Sequence, residues 1–354
     1  MTKFLHFFVI LVSLNNSFQK EEMNLKTTKI FFRPLFIIVS FVIIWCVIYL
    51  PINSSRSHPP DTRWMLYNRD LHQYVIPENV TTILEPKLNC RNSSSKNLFL
   101  LVIVCSSVTN FASRQAIRET WATANVPETT KILFLLGKSE NDTQNAAVME
   151  ENANYSDIIQ ENFLDTYNNL TVKSTMLLKW VNDSCRQAKY VMKTDDDMFV
   201  HLPNLVKFLK NSTQKHLLVG CLISGAVPIK DWHSKWYVPD NVYSEYTYPN
   251  YLSGTGYVMS DNIVSTLYNT ALNTPLFYLE DIFITGICAR KAGIKPVNNN
   301  GFKFYKRKND PCIFQKIITS HKMTPSELHE IWKKVNSPSI KCVRKRLATL
   351  KHHT

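Results

Sequence analysis

The chain has 354 residues, 45% of them hydrophobic, and a formal net charge of +13. That length suits one large domain or two small ones with a sizeable core, and a basic body suits anionic ligands such as nucleotide diphosphates, acidic glycans or a membrane surface. Nucleic acid is disfavoured because no reading module is present, and a zinc site because the eight cysteines form no Cys-x-x-Cys pair.

Residues 4–14 are apolar but too short to span a bilayer. Residues 34–52 (PLFIIVSFVIIWCVIYLPI) carry no charge and are long enough. Lys26, Lys29 and Arg33 precede them, which favours a cytoplasmic N-terminus. No small-residue cleavage site follows, so the segment reads as a signal-anchor, and Met23 opens a short basic tail that reads as an alternative start. The assignment is a cytoplasmic tail over 1–33, a transmembrane anchor over 34–52, a polar stem over 53–96 with Pro59, Pro60 and serine patches, and a body over 97–354. Sequons after the span begin at Asn53, Asn79, Asn92, Asn141, Asn154, Asn169, Asn182 and Asn211, a number compatible with a secretory-pathway body. Seven cysteines follow the span; in a lumenal body several would pair and at least one would stay single.

The body opens on the apolar run 98–104, which reads as a central strand. A helix follows over 113–121. Ile117 and Trp121 fall four apart and face inward; Arg114 and Arg118 also share a face. Two stacked cations cost stability unless an anion binds both, the alternative being a solvated basic face. A strand over 131–136, a helix over 145–153, a short strand over 157–160 and a helix over 171–188 lead to the strand Tyr190, Val191, Met192. Strand and helix alternate throughout, which predicts a parallel sheet covered by helices.

That last strand runs into Asp195, Asp196 and Asp197. Adjacent carboxylates repel unless a cation neutralises them. In open α/β sheets ligands sit beyond the carboxyl ends of strands, and Asp195 and Asp197 would share one side of an extended chain. Three readings compete: a solvated acidic turn, a Mg²⁺ or Mn²⁺ site holding a diphosphate, and a phosphotransferase with Asp195 as nucleophile and Asp197 as acid. A helix over 203–210 and a strand over 217–223 come next. Trp232, Trp236, Tyr237, Tyr243, Tyr246, Tyr248 and Tyr251 then crowd together, as sugar platforms or as loop packing. Gly254 and Gly256 permit a close backbone approach to a ligand. Glu280 and Asp281 head a helix over 282–292, where its dipole favours acids, and Gly293 is a good stop. Thr324, Pro325 and Glu327 form a capping box for a last helix, with His321 just before it and a basic tail over 341–351 after it.

Taken together and in order, 114–121 (RQAIRETW), 165–173 (DTYNNLTVK), 193–197 (KTDDD), 235–239 (KWYVP), 251–257 (YLSGTGY) and 280–286 (EDIFITG) resemble the β-1,3-glycosyltransferase family, which includes β-1,3-galactosyltransferases, β-1,3-N-acetylglucosaminyltransferases and, more distantly, Fringe. The resemblance runs from about Leu98 to Trp332, and it displaces the phosphotransferase reading, which explains only the triplet. It implies an α/β GT-A fold with a Rossmann-like mixed sheet, on a type II Golgi membrane enzyme with a lumenal catalytic domain. It implies a UDP-sugar donor with Mn²⁺ (or Mg²⁺), and inverting transfer of a hexose, galactose first, to a 3-hydroxyl of a glycan on lipid or protein. N-acetylgalactosamine or N-acetylglucosamine is the alternative donor sugar. Carried over by position, Asp195, Asp197 and His321 would ligate the metal. Arg114, Arg118, Lys173, Asp195 and Asp196 would face the nucleotide, Asp281 would be the general base, and Glu280 would bind sugar or acceptor. The family usually has Cys where Leu252 stands, so a family disulfide is expected to be missing. The alternative of another class is an inactive, membrane-anchored glycan-binding protein, against which the joint presence of Asp195, Asp197, Asp281 and His321 argues.

Overall fold

The computed structural model describes residues 39, 40, 42, 43, 69–87, 98–127, 129–338 and 342. The chain divides into the units Met1–Pro60 and Asp61–Thr354. The N-terminal apolar run, the Met23 start, most of the 34–52 span and the basic C-terminal tail lie outside the described residues. Among the described residues no helix is long and apolar enough to cross a membrane.

The second unit is built on one eight-stranded sheet of order β1-β4-β3-β2-β5-β8-β7-β9. Its strands are β1 (Thr82–Leu84), β2 (Leu100–Cys105), β3 (Thr130–Lys138), β4 (Ile158–Leu164), β5 (Tyr190–Asp195), β7 (Leu218–Ile223), β8 (Tyr251–Ser260) and β9 (Val297–Asn298); β6 (Phe199–Val200) and β10 (Thr319–Ser320) form a separate ribbon. All six residues of β2 are buried, because both sheet faces are covered. Leu101, Ile103 and Cys105 belong to one core and Leu100, Val102 and Val104 to the other, the period-two alternation of a strand. Helix α4 (Leu170–Ser184) packs on the first face. The second is covered by α2 (Phe111–Glu119) and the C-terminal helix α5 (Pro325–Val335).

The predicted alternation holds for β4, β3, β2 and β5, which run parallel. It ends at β8, which pairs antiparallel with β5 and β7, so the sheet is mixed. The reversal sets Lys193 and Thr194 of β5 opposite Tyr257 and Gly256 of β8.

The stem reading needs correction over 69–87. Leu71 and Val75 are fully buried in the core, Val75 ending the short helix α1 (His72–Val75). Strand β1 pairs antiparallel with β4. The Lys179 ammonium donates to the carbonyls of Val75, Ile76 and Asn79 at 3.0, 3.0 and 2.6 Å, fastening this arm to α4. Polar composition hid a few apolar residues at core spacing.

Cys312 and Cys342 are bridged and Cys185 is also disulfide-bonded, whereas Cys105, Cys221 and Cys288 are free. Leu252, in the position of the family cysteine, is fully buried in the core.

Candidate functional site

Three elements converge at the carboxyl end of β5. The β6–β10 ribbon pairs Val200 with Thr319, and the Met323 N–H donates to the Asp197 carbonyl at 2.8 Å. The turn between them takes Lys322 to φ 58°, a region side-chain-bearing residues rarely occupy. These constraints bring His321 to the aspartates: its Nε2 lies 3.1 Å from Asp197 Oδ2. Nδ1 sits 2.8 Å from the Phe304 carbonyl. A carbonyl only accepts, so Nδ1 carries the proton in the neutral ring and Nε2 turns a lone pair toward the carboxylate. A second proton or a cation must lie between them. Burial lowers the His321 pKa, but Asp197 outweighs it and the net value is raised.

This pair of donors, partly open to solvent, fits a divalent cation that takes its remaining ligands from water and substrate oxygens. Among the described residues no group of three or more His, Cys, Asp and Glu side chains is placed to hold a metal ion. Asp195, expected as a further ligand, accepts from Lys193 Nζ through its Oδ1 at 2.8 Å.

Lys193 is the residue sequence reasoning passed over. Its buried ammonium also donates to the Gly254 carbonyl at 2.6 Å and lies 3.4 Å from Glu280 Oε2. Burial opposes the charge, but Asp195 and Glu280 hold its pKa well above the ordinary lysine value. The Tyr257 hydroxyl donates to Glu280 Oε1 at 2.7 Å. Glu280, assigned to sugar or acceptor, is therefore buried and spent on Lys193 and Tyr257, bonding β5 and β8 to the next helix. A lone lysine in an apolar strand, two residues before an aspartate on the same side, was the available signal.

Asp281 sits beside it with a different environment. Its Oδ1 accepts from the Ile282 N–H at 2.9 Å and its Oδ2 from the Gly254 N–H at 3.2 Å. No cation pairs with it among the described residues. Burial, and then the charge of Glu280, push its pKa from 3.8 up to about 6. A side chain on Gly254 would place its Cβ 3.1 Å from Glu280 Oε2 and 3.2 Å from Asp281 Cβ. Gly254, inside strand β8, thus lets the backbone come close to the two acids, where a close approach to a ligand was foreseen. The helix they head is π-wound over Ile282–Cys288, a winding enriched at functional sites; the Thr285 hydroxyl bonds the Asp281 carbonyl at 2.6 Å.

The expected nucleotide cations behave otherwise. Arg114 is fully buried and bonds Glu151 at 2.8 and 2.6 Å and the Ser106 hydroxyl at 2.9 Å. Arg118 bonds Asp157 at 2.9 Å and Glu151 at 2.7 Å. The anion that the two stacked arginines required is Glu151, from α3 (Asp142–Tyr155). Lys173 is likewise buried on Asp165 and the Ser106 carbonyl. None of the three presents a free charge to a ligand. They stiffen the floor: Ser106, held by Arg114, donates to Asp196 Oδ2 at 2.6 Å, with Asn110 at 2.9 Å. Burial raises the Asp196 pKa.

A strand-end carboxylate–imidazole pair, and a second carboxylate with no cation partner among the described residues and a pKa raised to about 6, are groups that a group-transfer reaction can use. The family model described as Galactosyltransferase matches residues 112–300. Beta-1,3-galactosyltransferase 1 of Mus musculus is 43% identical over 71% of this chain and 78% of its own length. Lactosylceramide 1,3-N-acetyl-beta-D-glucosaminyltransferase A of Danio rerio is 35% identical over 73% and 70%. A solved structure of an active-site mutant of LgtC aligns with 65% of this chain and 94% of its own, at 14% identity and a TM-score of 0.37. The chain belongs to the β-1,3-glycosyltransferase family, and it is a glycosyltransferase enzyme. That sets aside the inactive glycan-binding alternative.

Proposed function

We propose that this enzyme transfers galactose from UDP-galactose to a 3-hydroxyl of an acceptor glycan on lipid or protein, with inversion to a β1,3 linkage, in the Golgi lumen. Residues 1–33 are then a cytoplasmic tail, 34–52 a signal-anchor and the remainder lumenal, in a GT-A arrangement. Galactose is favoured over N-acetylglucosamine because the mouse relative is the more similar of the two compared.

The observation that carries the reading is Asp281, a carboxylate with no cation partner among the described residues and a pKa raised to about 6. An inverting transfer needs one base on the face opposite the leaving group. Asp281 takes the proton of the acceptor hydroxyl as that oxygen bonds the anomeric carbon. The bond from that carbon to the diphosphate oxygen breaks, and its electron pair leaves with UDP. Asp197 and His321 would hold Mn²⁺, with Asp195 beside them; the ion supplies positive charge that stabilises the departing diphosphate. Lys193 and Glu280 act on this chemistry by fixing Asp195 and the Gly254 backbone of β8.

The test is UDP release by the full-length protein in detergent, with UDP-galactose, UDP-N-acetylglucosamine and UDP-N-acetylgalactosamine, with and without Mn²⁺ and β-linked acceptor glycosides. Acceptor-stimulated, Mn²⁺-dependent release from UDP-galactose supports the reading. Release only from another donor, or without metal, refutes it in that respect.

A further inference from the structure

Of the aromatic cluster over 232–251, Tyr243, Tyr248 and Tyr251 are packing, whereas Tyr246 is exposed with no ring against it among the described residues. Tyr248 and Tyr251 are buried, and the rings of Tyr243 and Tyr248 lie against Phe277 at 5.7 and 6.0 Å. Trp236 is different. It is 48% exposed, and its companion is Tyr167, 45% exposed, in the turn between β4 and α4. The Lys235 ammonium lies over both rings, 5.2 Å from the Tyr167 centroid and 4.8 Å from that of Trp236. Lys235 has no carboxylate partner among the described residues.

Two bonds fix this trio beside the acids. The Thr171 hydroxyl donates to the Phe277 carbonyl at 2.7 Å, which ties the Tyr167 turn to the segment entering Glu280 and Asp281. The Tyr278 hydroxyl donates to the Tyr237 carbonyl, which ties the Trp236 loop to the same segment. Burial raises the Tyr167 pKa, and the charges of Asp281 and then Asp195 add to the rise, so both acids lie within electrostatic range of this ring.

We propose that Tyr167, Trp236 and Lys235 form the acceptor subsite: the two rings take the apolar C–H face of the acceptor's terminal pyranose, and the lysine donates to its hydroxyls. This rests on Asp281 being the base, since the acceptor hydroxyl must reach it. Exposed rings with a polar edge suit a ligand that is apolar on one face and wet on the other, and the open side is where a glycan on a lipid or protein must enter. These are positioning residues and touch no reacting bond.

The experiment uses full-length protein in detergent, UDP-galactose, and benzyl β-glycosides of N-acetylglucosamine, galactose and N-acetylgalactosamine, taking the one the parent uses best. Trp236→Ala and Tyr167→Ala should each raise acceptor KM about tenfold, with kcat changed far less. UDP affinity by calorimetry should match the parent, and Trp236→Phe and Tyr167→Phe should restore most of the KM. Unchanged acceptor KM, or equal losses in UDP affinity and acceptor KM, would overturn the subsite and leave the transferase reading standing. A parent that transfers to none of the glycosides would bring down that reading and the subsite with it.

Discussion

Replacing Asp281 by Asn separates catalysis from stability. The carboxylate titrates near 6 instead of 3.8, a rise of about two pH units, each equivalent to ~1.4 kcal/mol. Folding therefore works against this charge at neutral pH by roughly 3 kcal/mol at most. Because the folded pKa is the higher one, the stability linked to the protonated form is fully present below about pH 4. It is lost as pH rises through 6. Turnover should run the other way, rising through the same window as the base ionises. Asn keeps the shape and removes the charge, but its single oxygen can accept from only one of the Ile282 and Gly254 N–H groups, which offsets part of the stability gained by losing the charge. The expected result is a Tm changed little, with turnover reduced ~10²–10⁴-fold and the pH slope near 6 abolished. The assays are initial-rate UDP release from pH 5 to 8 and thermal unfolding over the same range. Turnover near the parent's, or an undiminished pH slope in the Asn variant, would remove Asp281 from the role of base.

Three further outcomes follow from the same geometry. Asp197→Ala and His321→Ala should each abolish the Mn²⁺ dependence of UDP affinity seen by calorimetry, and chelation should reduce the parent to the same level; Mn²⁺-dependent affinity that survives both substitutions would contradict the pair as metal ligands. Lys193→Met leaves Asp195 and Glu280 without their cation, and breaking a buried pair costs ~3–5 kcal/mol, so chemical denaturation should show a loss of that order; a loss under about 1 kcal/mol would mean the bridge is dispensable. Glu151→Gln removes the anion shared by Arg114 and Arg118 and should cost a similar ~3–5 kcal/mol while UDP affinity falls only with the folded fraction; a specific loss of UDP affinity at full folding would return the arginines to the nucleotide.

The sheet was readable because its central strands are continuous apolar runs with helices between them. Leu100 to Cys105 admits little but a doubly covered strand, and Thr324, Pro325 and Glu327 marked the last helix, whose capping box is formed. The reversal at β8 was not readable, since strand direction leaves no trace in a period-two pattern. Nor was the arm over 69–87, where a handful of core residues sit in polar sequence. At the site, His321 and Asp197 were paired by family position, and the β6–β10 ribbon supplies the physical reason. The resemblance gave the arginines to the nucleotide; in the structure they pair with Glu151, so the need for an anion on Arg114 and Arg118 was correct, but Glu151 lies a helix away and nothing local announces it. The aromatic cluster required coordinates to divide it, because Tyr248 and Trp236 look alike until one is seen to be buried and the other exposed.

The most direct test of the central claim is the structure of the first-formed product. Incubation of the full-length protein with UDP-galactose, Mn²⁺ and the preferred β-glycoside, followed by NMR of the isolated disaccharide, reads the anomeric configuration and the substituted hydroxyl together. A β-galactosyl residue on the acceptor's O3 is the predicted result, since one unpaired base opposite the leaving group enforces inversion. An α-linked product, or substitution at another hydroxyl, would contradict the account.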